Sequence, residues 1–334
     1  MKKKVLASML VMVLMASMFM TGCGGSGSDS ADSTEEQSEG NEEKQEESQK
    51  DKVTIEEQIL LEEDGITVTA TEVELGDVSR AGGTVAISVN NTTDKDYYIS
   101  SNFVVVNGYM AAAQVHPESG DSFGPGETTG FIEILPMKLK YANVENIGEI
   151  VFGNILVKEM ELQEMPNLDG EMEEVLMPVE EPSYAVENCV VKTSAYDEAA
   201  IAVMPEGEVV YDEDGVQVVK VAADEEDQAQ GITELFFVKN DTDKPMMLHS
   251  YNYSFNGTAV DEMMLAMTYP RYRYVNPGCI EVGYFAGVEE SMEYMGMEGE
   301  FESMECTMLI SEFDEYGGPI SGTGGEFTYS YTAE

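Results

Sequence analysis

The amino-acid sequence predicts an all-β protein in which two β-sandwich domains follow one another along the chain. Apolar and polar residues alternate over short segments, as in the apolar set Val85, Ile87 and Val89, and this period of two is typical of a half-buried strand. Turn residues separate these segments at intervals of about 8 to 12 residues, which favours a sandwich over alternating strands and helices. An internal repeat indicates that the same fold occurs twice.

Four groups of turn residues occur twice in the same order, about 150 residues apart. Asp-Gly and Asn-Gly pairs among them supply the positive φ angles that tight hairpin turns require. A shared order over four landmarks predicts two copies of one domain. The matching segments are 63–68 with 213–218, 91–95 with 240–244, Asn107-Gly108 with Asn256-Gly257, and 124–126 with 276–278.

The repeat places the first domain at residues 53–197 and the second at 206–334, with a short link between them. Strand-like sequence closes each copy, at residues 189–194 and 327–331. The first copy holds an additional acidic, proline-containing segment at about 161–184, which we predict to be a loop.

The N-terminus has the order of a secretory signal, in which Lys2 to Lys4 precede an apolar run from Val5 to Met20. This run is shorter than the roughly 20 residues that a helix needs to span a bilayer. The sequence Thr21-Gly22-Cys23 resembles the end of bacterial lipoprotein signals. That resemblance implies a signal peptide at residues 1–22 and a diacylated Cys23 as the mature N-terminus. Cleavage nearby in an ordinary secreted protein is the alternative.

Residues 23–52 are predicted to be the acylated cysteine followed by a disordered acidic tether. The segment is mostly Gly, Ser, Asp, Glu, Gln and Lys, without an aromatic residue, and such a composition cannot offset the entropy of ordering. Two acyl chains give stable membrane anchoring. We therefore expect an extracytoplasmic protein that is anchored by lipid to the outer face of the cell membrane.

The strong negative charge of the chain limits the classes of partner that it can bind. Lysine and arginine number 17 against 65 acidic residues, and removal of the three signal lysines gives a mature balance of 14 − 65 = −51. Nucleic acid and anionic lipid surfaces are therefore disfavoured. The acidic segments 212–214 and 224–227 offer oxygen ligands for calcium, but neither has the spacing of a calcium loop. Calcium binding is possible, but no sequence motif supports it. No cofactor is predicted.

Catalytic motifs are sparse, so we predict that the chain is not an enzyme and assign no catalytic residue. Its only histidines are His116 and His249, and no zinc, phosphate-loop or serine-elbow motif is present. Residues 292–297 are rich in methionine, which suits either a copper site or core packing. Acylation of Cys23 would leave three other cysteines. Two of them, Cys279 and Cys306, could form a disulfide or could remain as two buried thiols.

A family resemblance rests on the strand that leads into residues 91–95, on residues 105–110, and on their weaker copies in the second half. With these features the chain resembles surface lipoproteins of Gram-positive, Clostridia-type bacteria that carry tandem immunoglobulin-like domains of unassigned function. The resemblance covers most of both domains and implies a fold and a compartment, with no active site. Because tryptophan and a central cysteine pair are absent, only the sandwich architecture is carried over from antibody-type domains.

The segment 269–274 is the candidate for partner binding, because it holds two of the three arginines of the chain. On a strand, Arg271 and Arg273 would share one face, and Tyr272 and Tyr274 the other. Internal ion pairing of the arginines, with the tyrosines packed inward, is the alternative. We expect a non-enzymatic surface lipoprotein that binds or scaffolds an extracytoplasmic partner, most simply a protein. A cation-binding or solute-capturing transport protein and a cell-envelope hydrolase are the alternatives.

Overall fold

The computed structural model describes residues 53–333 except 76–81, 136–138, 143–146, 168–170, 187, 230, 261–271, 287 and 315–317. The signal peptide, Cys23 and the tether lie outside this part of the chain, so their predicted roles stay predictions. The described residues belong to one compact unit and are mostly β-strand, which confirms the all-β prediction. The helices in this part of the chain lack the length and the apolar composition of a transmembrane span.

The regular secondary structure described in the first half is β-strand. The strands are β1 (Gln58–Glu63), β2 (Ile66–Leu75), β3 (Gly83–Asn91), β4 (Tyr97–Val106), β5 (Tyr109–Ala111), β6 (Ala113–Pro117), β7 (Gly126–Ile134), β8 (Glu149–Pro166), β9 (Met172–Pro178), β10 (Tyr184–Val186) and β11 (Cys189–Lys192). A 3-10 turn, Glu198–Ala200, follows them.

The second half combines strands with two short helices in its described residues. They are β12 (Glu208–Glu213), β13 (Val216–Ala222), α1 (Glu225–Ala229), β14 (Ile232–Asn240), β15 (Met246–Phe255), β16 (Thr258–Ala259), β17 (Tyr272–Val275), β18 (Ile280–Ala286), α2 (Val288–Tyr294), β19 (Ser303–Ser311) and β20 (Glu326–Thr332).

These strands form three sheets. The first has the order β1-β2-β3-β7-β6, and the third has the order β16-β15-β19-β20 with β17 also on β15. The second has the order β10-β8-β4-β5-β18-β14-β13-β12, and β9 and β11 also pair with β8. Neighbouring strands are antiparallel except β5 and β18, which are parallel.

The strand pairing of the first half recurs in the second half. The set β1-β2-β3-β7 corresponds to β12-β13-β14-β18, and β4-β8-β11 corresponds to β15-β19-β20. Even the register recurs, because Leu61 lies opposite Val68 after a bulge and Tyr211 lies opposite Val218 after an equivalent bulge. The turn residues that repeat in sequence therefore connect strands that pair in the same way.

The second sheet joins the two halves. The N–H of Ile280 donates a 2.8 Å hydrogen bond to the carbonyl of Gly108, where β5 meets β18. A second contact between the halves is an ion pair, in which the Lys140 Nζ lies 2.5 Å from the carboxylate of Asp227, the buried acidic residue of α1. The two halves therefore share backbone pairing and an ion pair, and the predicted boundary between two domains stays a prediction.

Candidate functional site

The segment proposed to bind a partner is only partly described. Arg271 lies outside the described residues. Tyr272 is the first residue of β17, and only its backbone is described. The Arg273 guanidinium points inward, 3.7 Å from the carboxylate of Glu281, and burial lowers the pKa of Arg273. Tyr274 is exposed, with its ring centroid 4.8 Å from that of Phe313. Arg273 thus forms an internal ion pair, and partner binding by these residues stays a prediction.

The histidines lie in different sheets. His116 is in β6, with its Nε2 3.4 Å from the carboxylate of Glu133, and His249 is in β15 with its ring 5.4 Å from that of Tyr251. Each imidazole therefore has local partners in its own half. The structure does not bring the two histidines together.

Among the described residues, Cys189, Cys279 and Cys306 are free thiols. Burial raises the pKa of Cys279 to about 11 and that of Cys306 to about 12, so both stay protonated at neutral pH. A thiol is a weaker nucleophile than a thiolate. These two side chains are core residues of the second half rather than reactive groups.

The acidic segments that were considered for calcium have local structural roles. Residues 212–214 end at the tight turn between β12 and β13, where Asp214 has a φ of 51°. The Asp224 carboxylate accepts the backbone N–H of Asp227 at 2.8 Å and so begins α1. Within the described residues, no three His, Cys, Asp or Glu side chains are grouped to hold a metal ion.

The methionine-rich segment lines an open pocket of about 520 Å³. The pocket is formed by the end of α2 and the residues that come after it. Met292 is almost fully buried and belongs to the core of the second half, and Met297 packs against that core. Core packing therefore accounts for these two thioethers. The lining residues are Met292, Glu293, Gly296, Met297, Glu298, Gly299, Glu300 and Phe301.

A β-ribbon that extends from the first half is the most unusual surface feature. The strand β8 has 18 residues, whereas its counterpart β19 has 9. Its pairing with β4 ends at Glu159, and the remaining residues of β8 pair with β9. We call residues 160–167 and 171–178 the arm. The loop predicted for this region is therefore a paired ribbon over most of its length.

The arm exposes large apolar side chains on both strands. Leu162 and Leu176 lie directly opposite each other and are 65% and 39% exposed. A two-stranded ribbon is marginally stable on its own in water, and exposed apolar groups often mark an interaction surface. The other exposed apolar side chains of the arm are Met165, Met172 and Val175.

The arm is also acidic. The chain has no Lys, Arg or His from residue 159 to residue 191. Glu164 lies directly opposite Glu174, and like charges in that arrangement destabilise a strand pair. The glutamates of the arm, all of them exposed, are Glu161, Glu164, Glu171, Glu173 and Glu174.

The region 161–184 is recognisable in the sequence, but its ribbon form is not. The segment stood out because it interrupts the internal repeat, and acidic residues with prolines are typical of a loop. The strand signal was present in the run Val175-Leu176-Met177. A free ribbon lacks the buried face that produces a regular alternation, so its strands are hard to recognise from pattern alone.

No protein-family model matches the chain, and no curated protein matches it. Among solved structures, one similar chain is described as the crystal structure of the conserved domain protein from Bacillus anthracis. The TM-score is 0.24 at 10% sequence identity, over 84% of this chain and 91% of that chain, and a similarity this weak carries no argument.

Proposed function

We propose that the chain is a non-enzymatic surface lipoprotein that binds an extracytoplasmic protein partner through the arm. Two tandem immunoglobulin-like sandwich domains of the Clostridia-type lipoproteins form the frame, and Cys23 carries the lipid anchor. Recurrence of the strand pairing supports the tandem frame. The signal-like residues 2–23 support export and lipidation.

The arm is the single observation that carries this function. Its exposed leucines, methionines and valine extend beyond the sheet that supports them, because β4 stops pairing with β8 at Glu159. Burial of apolar surface stabilises a complex by roughly 25 cal/mol per Å² before the costs of association. A partner that covers the arm would gain from burying side chains that the fold leaves in water.

A protein suits this surface better than a small molecule or a nucleic acid. Small ligands bind in concave sites, whereas the arm is a ribbon with exposed side chains on both faces. The acidic arm would repel phosphate groups of nucleic acids and of anionic lipids.

Site-specific crosslinking in the native cell tests the proposal. A photoreactive residue replaces Leu176 in the arm of the full chain, and a matched control replaces Val209, an exposed residue of β12. We expect the Leu176 position to crosslink one extracytoplasmic protein that the Val209 position does not reach. The proposal is wrong if both positions give the same products, or if the arm gives none.

A further inference from the structure

We infer that the arm binds a segment of the partner protein that is positively charged and partly apolar. This inference rests on the proposed function, because it names the chemistry of the partner at the same surface. It follows from the charge of the arm, from the order of side chains on its faces, and from the occupants that this charge disfavours.

The negative charge of the arm limits which partner can cover its apolar side chains. All five glutamates of the arm lie within a few residues of its exposed apolar side chains, and no basic residue occurs between positions 159 and 191 to neutralise them. A partner that covers the apolar side chains also removes water from the carboxylates. Burying an ionised carboxylate is costly unless an opposite charge accompanies it. Apolar contact with the arm therefore requires cations from the partner.

Apolar and acidic residue pairs lie next to each other on one face of the arm. Directly opposed residues project from the same face of a strand pair, and so do residues two apart along a strand. One face therefore presents the pair Leu162 and Leu176 next to the pair Glu164 and Glu174. These pairs are roughly 7 Å apart, which is two residues of strand rise. An extended partner segment with an apolar residue at one position and a basic residue two positions later would present both side chains on one face and so match both pairs.

Other occupants are disfavoured by the same charges. A second copy of this chain would place one acidic arm against another, and an anionic membrane would repel the glutamates. Like charges brought into contact at an interface oppose association. Each of these occupants is nevertheless a distinct outcome of the test.

Defined peptides test the inference on the full exported chain, held in phosphatidylcholine nanodiscs. The probe is a fluorescent leucine–lysine peptide with the repeat Leu-Ser-Lys-Ser, which places leucine and lysine two residues apart on one face when extended. The matched controls replace its lysines by glutamate or its leucines by serine. We expect the leucine–lysine peptide to bind at least about tenfold more tightly than either control. Raising the salt from about 0.1 M to about 1 M shortens the Debye length from about 10 Å to about 3 Å and should weaken binding.

Arm variants identify the surface that binds. We expect the double changes Leu162→Ser with Leu176→Ser, and Glu164→Gln with Glu174→Gln, each to weaken the leucine–lysine peptide about tenfold. The matched control, Glu206→Gln with Val209→Ser, alters exposed residues of the second half and should leave binding unchanged. Thermal melts should show all three variants folded, because the altered side chains are exposed.

Four results would overturn the inference: equal binding of the glutamate peptide, binding unaffected by either arm variant, preferential binding to anionic vesicles, or self-association through the arm. Its failure is distinguishable from failure of the proposed function. If the cellular crosslink from Leu176 persists unchanged in the Glu164→Gln, Glu174→Gln background, the arm binds a protein but not through positive charge.

Discussion

At the scale of single residues, Glu234 is a buried carboxylate with two partners. Its Oε1 lies 3.2 Å from the Nζ of Lys220, and its other oxygen accepts a hydrogen bond from the Tyr329 hydroxyl. Burial raises the pKa of Glu234, and the hydrogen bonds from Tyr329 and Lys220 oppose that shift without cancelling it. The folded state therefore favours the protonated form of Glu234 more than the unfolded state does.

This shift predicts a pH dependence of stability. Because the folded-state pKa of Glu234 is raised above its ordinary value, its contribution to stability is fully present below that ordinary value and is lost as pH rises through the raised pKa. We expect the unfolding free energy of the wild type to fall, relative to Glu234→Gln, as pH rises from about 4 to about 7. Denaturant melts at several pH values measure the difference, and a constant or opposite trend would contradict the shift.

Asn91 and Asn240 show why particular residues repeat in the sequence. In each copy the side-chain amide donates to the carbonyl four residues later, at 2.7 and 2.8 Å, and the side-chain oxygen accepts the backbone N–H two residues later, at 3.0 and 2.9 Å. Both asparagines are buried, and unpaired buried polar groups are costly. The repeat therefore preserves the residues that satisfy this turn.

At the scale of elements, β14 is buried on both faces. Leu235 and Phe237 pack in the core of the first half, whereas Phe236 and Val238 pack in the core of the second. Successive side chains of a strand point to opposite faces, so one strand can serve two cores. This arrangement explains the unbroken apolar run at 235–238, which differs from the alternation of a half-buried strand.

A strand shared by two cores predicts that both halves unfold together. We expect Phe236→Ala and Phe237→Ala each to destabilise the fold by about 3 to 5 kcal/mol through the cavity that the lost ring leaves. Each variant should shift the same single calorimetric transition, although the two rings lie in different cores. Val209→Ala, at an exposed site, is the control. Two transitions, with each variant shifting a different one, would show that the halves unfold independently.

At the scale of the whole molecule, the proposed anchor and the charge of the chain act in opposite directions. The formal net charge of −48 disfavours contact with anionic membrane surfaces. Two acyl chains on Cys23 would hold the protein at the membrane despite this repulsion, because each buried methylene contributes about 0.8 kcal/mol.

Lipid attachment predicts a residue-specific label. Cells given labelled palmitate should transfer it to the wild-type chain and to Cys189→Ala, but not to Cys23→Ala, because only Cys23 follows the signal-like residues. Recovery of the purified chain and measurement of its label check this outcome. An unlabelled wild type, or a labelled Cys23→Ala chain, would contradict the anchor.

Local chemistry in the sequence determined the class of the fold and the repeat. Alternation of apolar residues predicted strands, and positive-φ turn pairs such as Asp214-Gly215 predicted where the strands connect. Both depend on interactions between residues that are near in the chain, so the sequence displays them directly. The same reasoning also identified the insertion at 161–184 as a departure from the repeat.

Only the tertiary structure decided how these parts meet. It placed Arg273 against Glu281, 3.7 Å away, in an internal ion pair, and it joined the halves where Ile280 meets Gly108. It also showed that the insertion pairs into an exposed ribbon. Whether a charge lies inside or outside, and whether a strand has one buried face or two, depends on neighbours that are distant in the chain. The pattern of a single segment cannot display those neighbours.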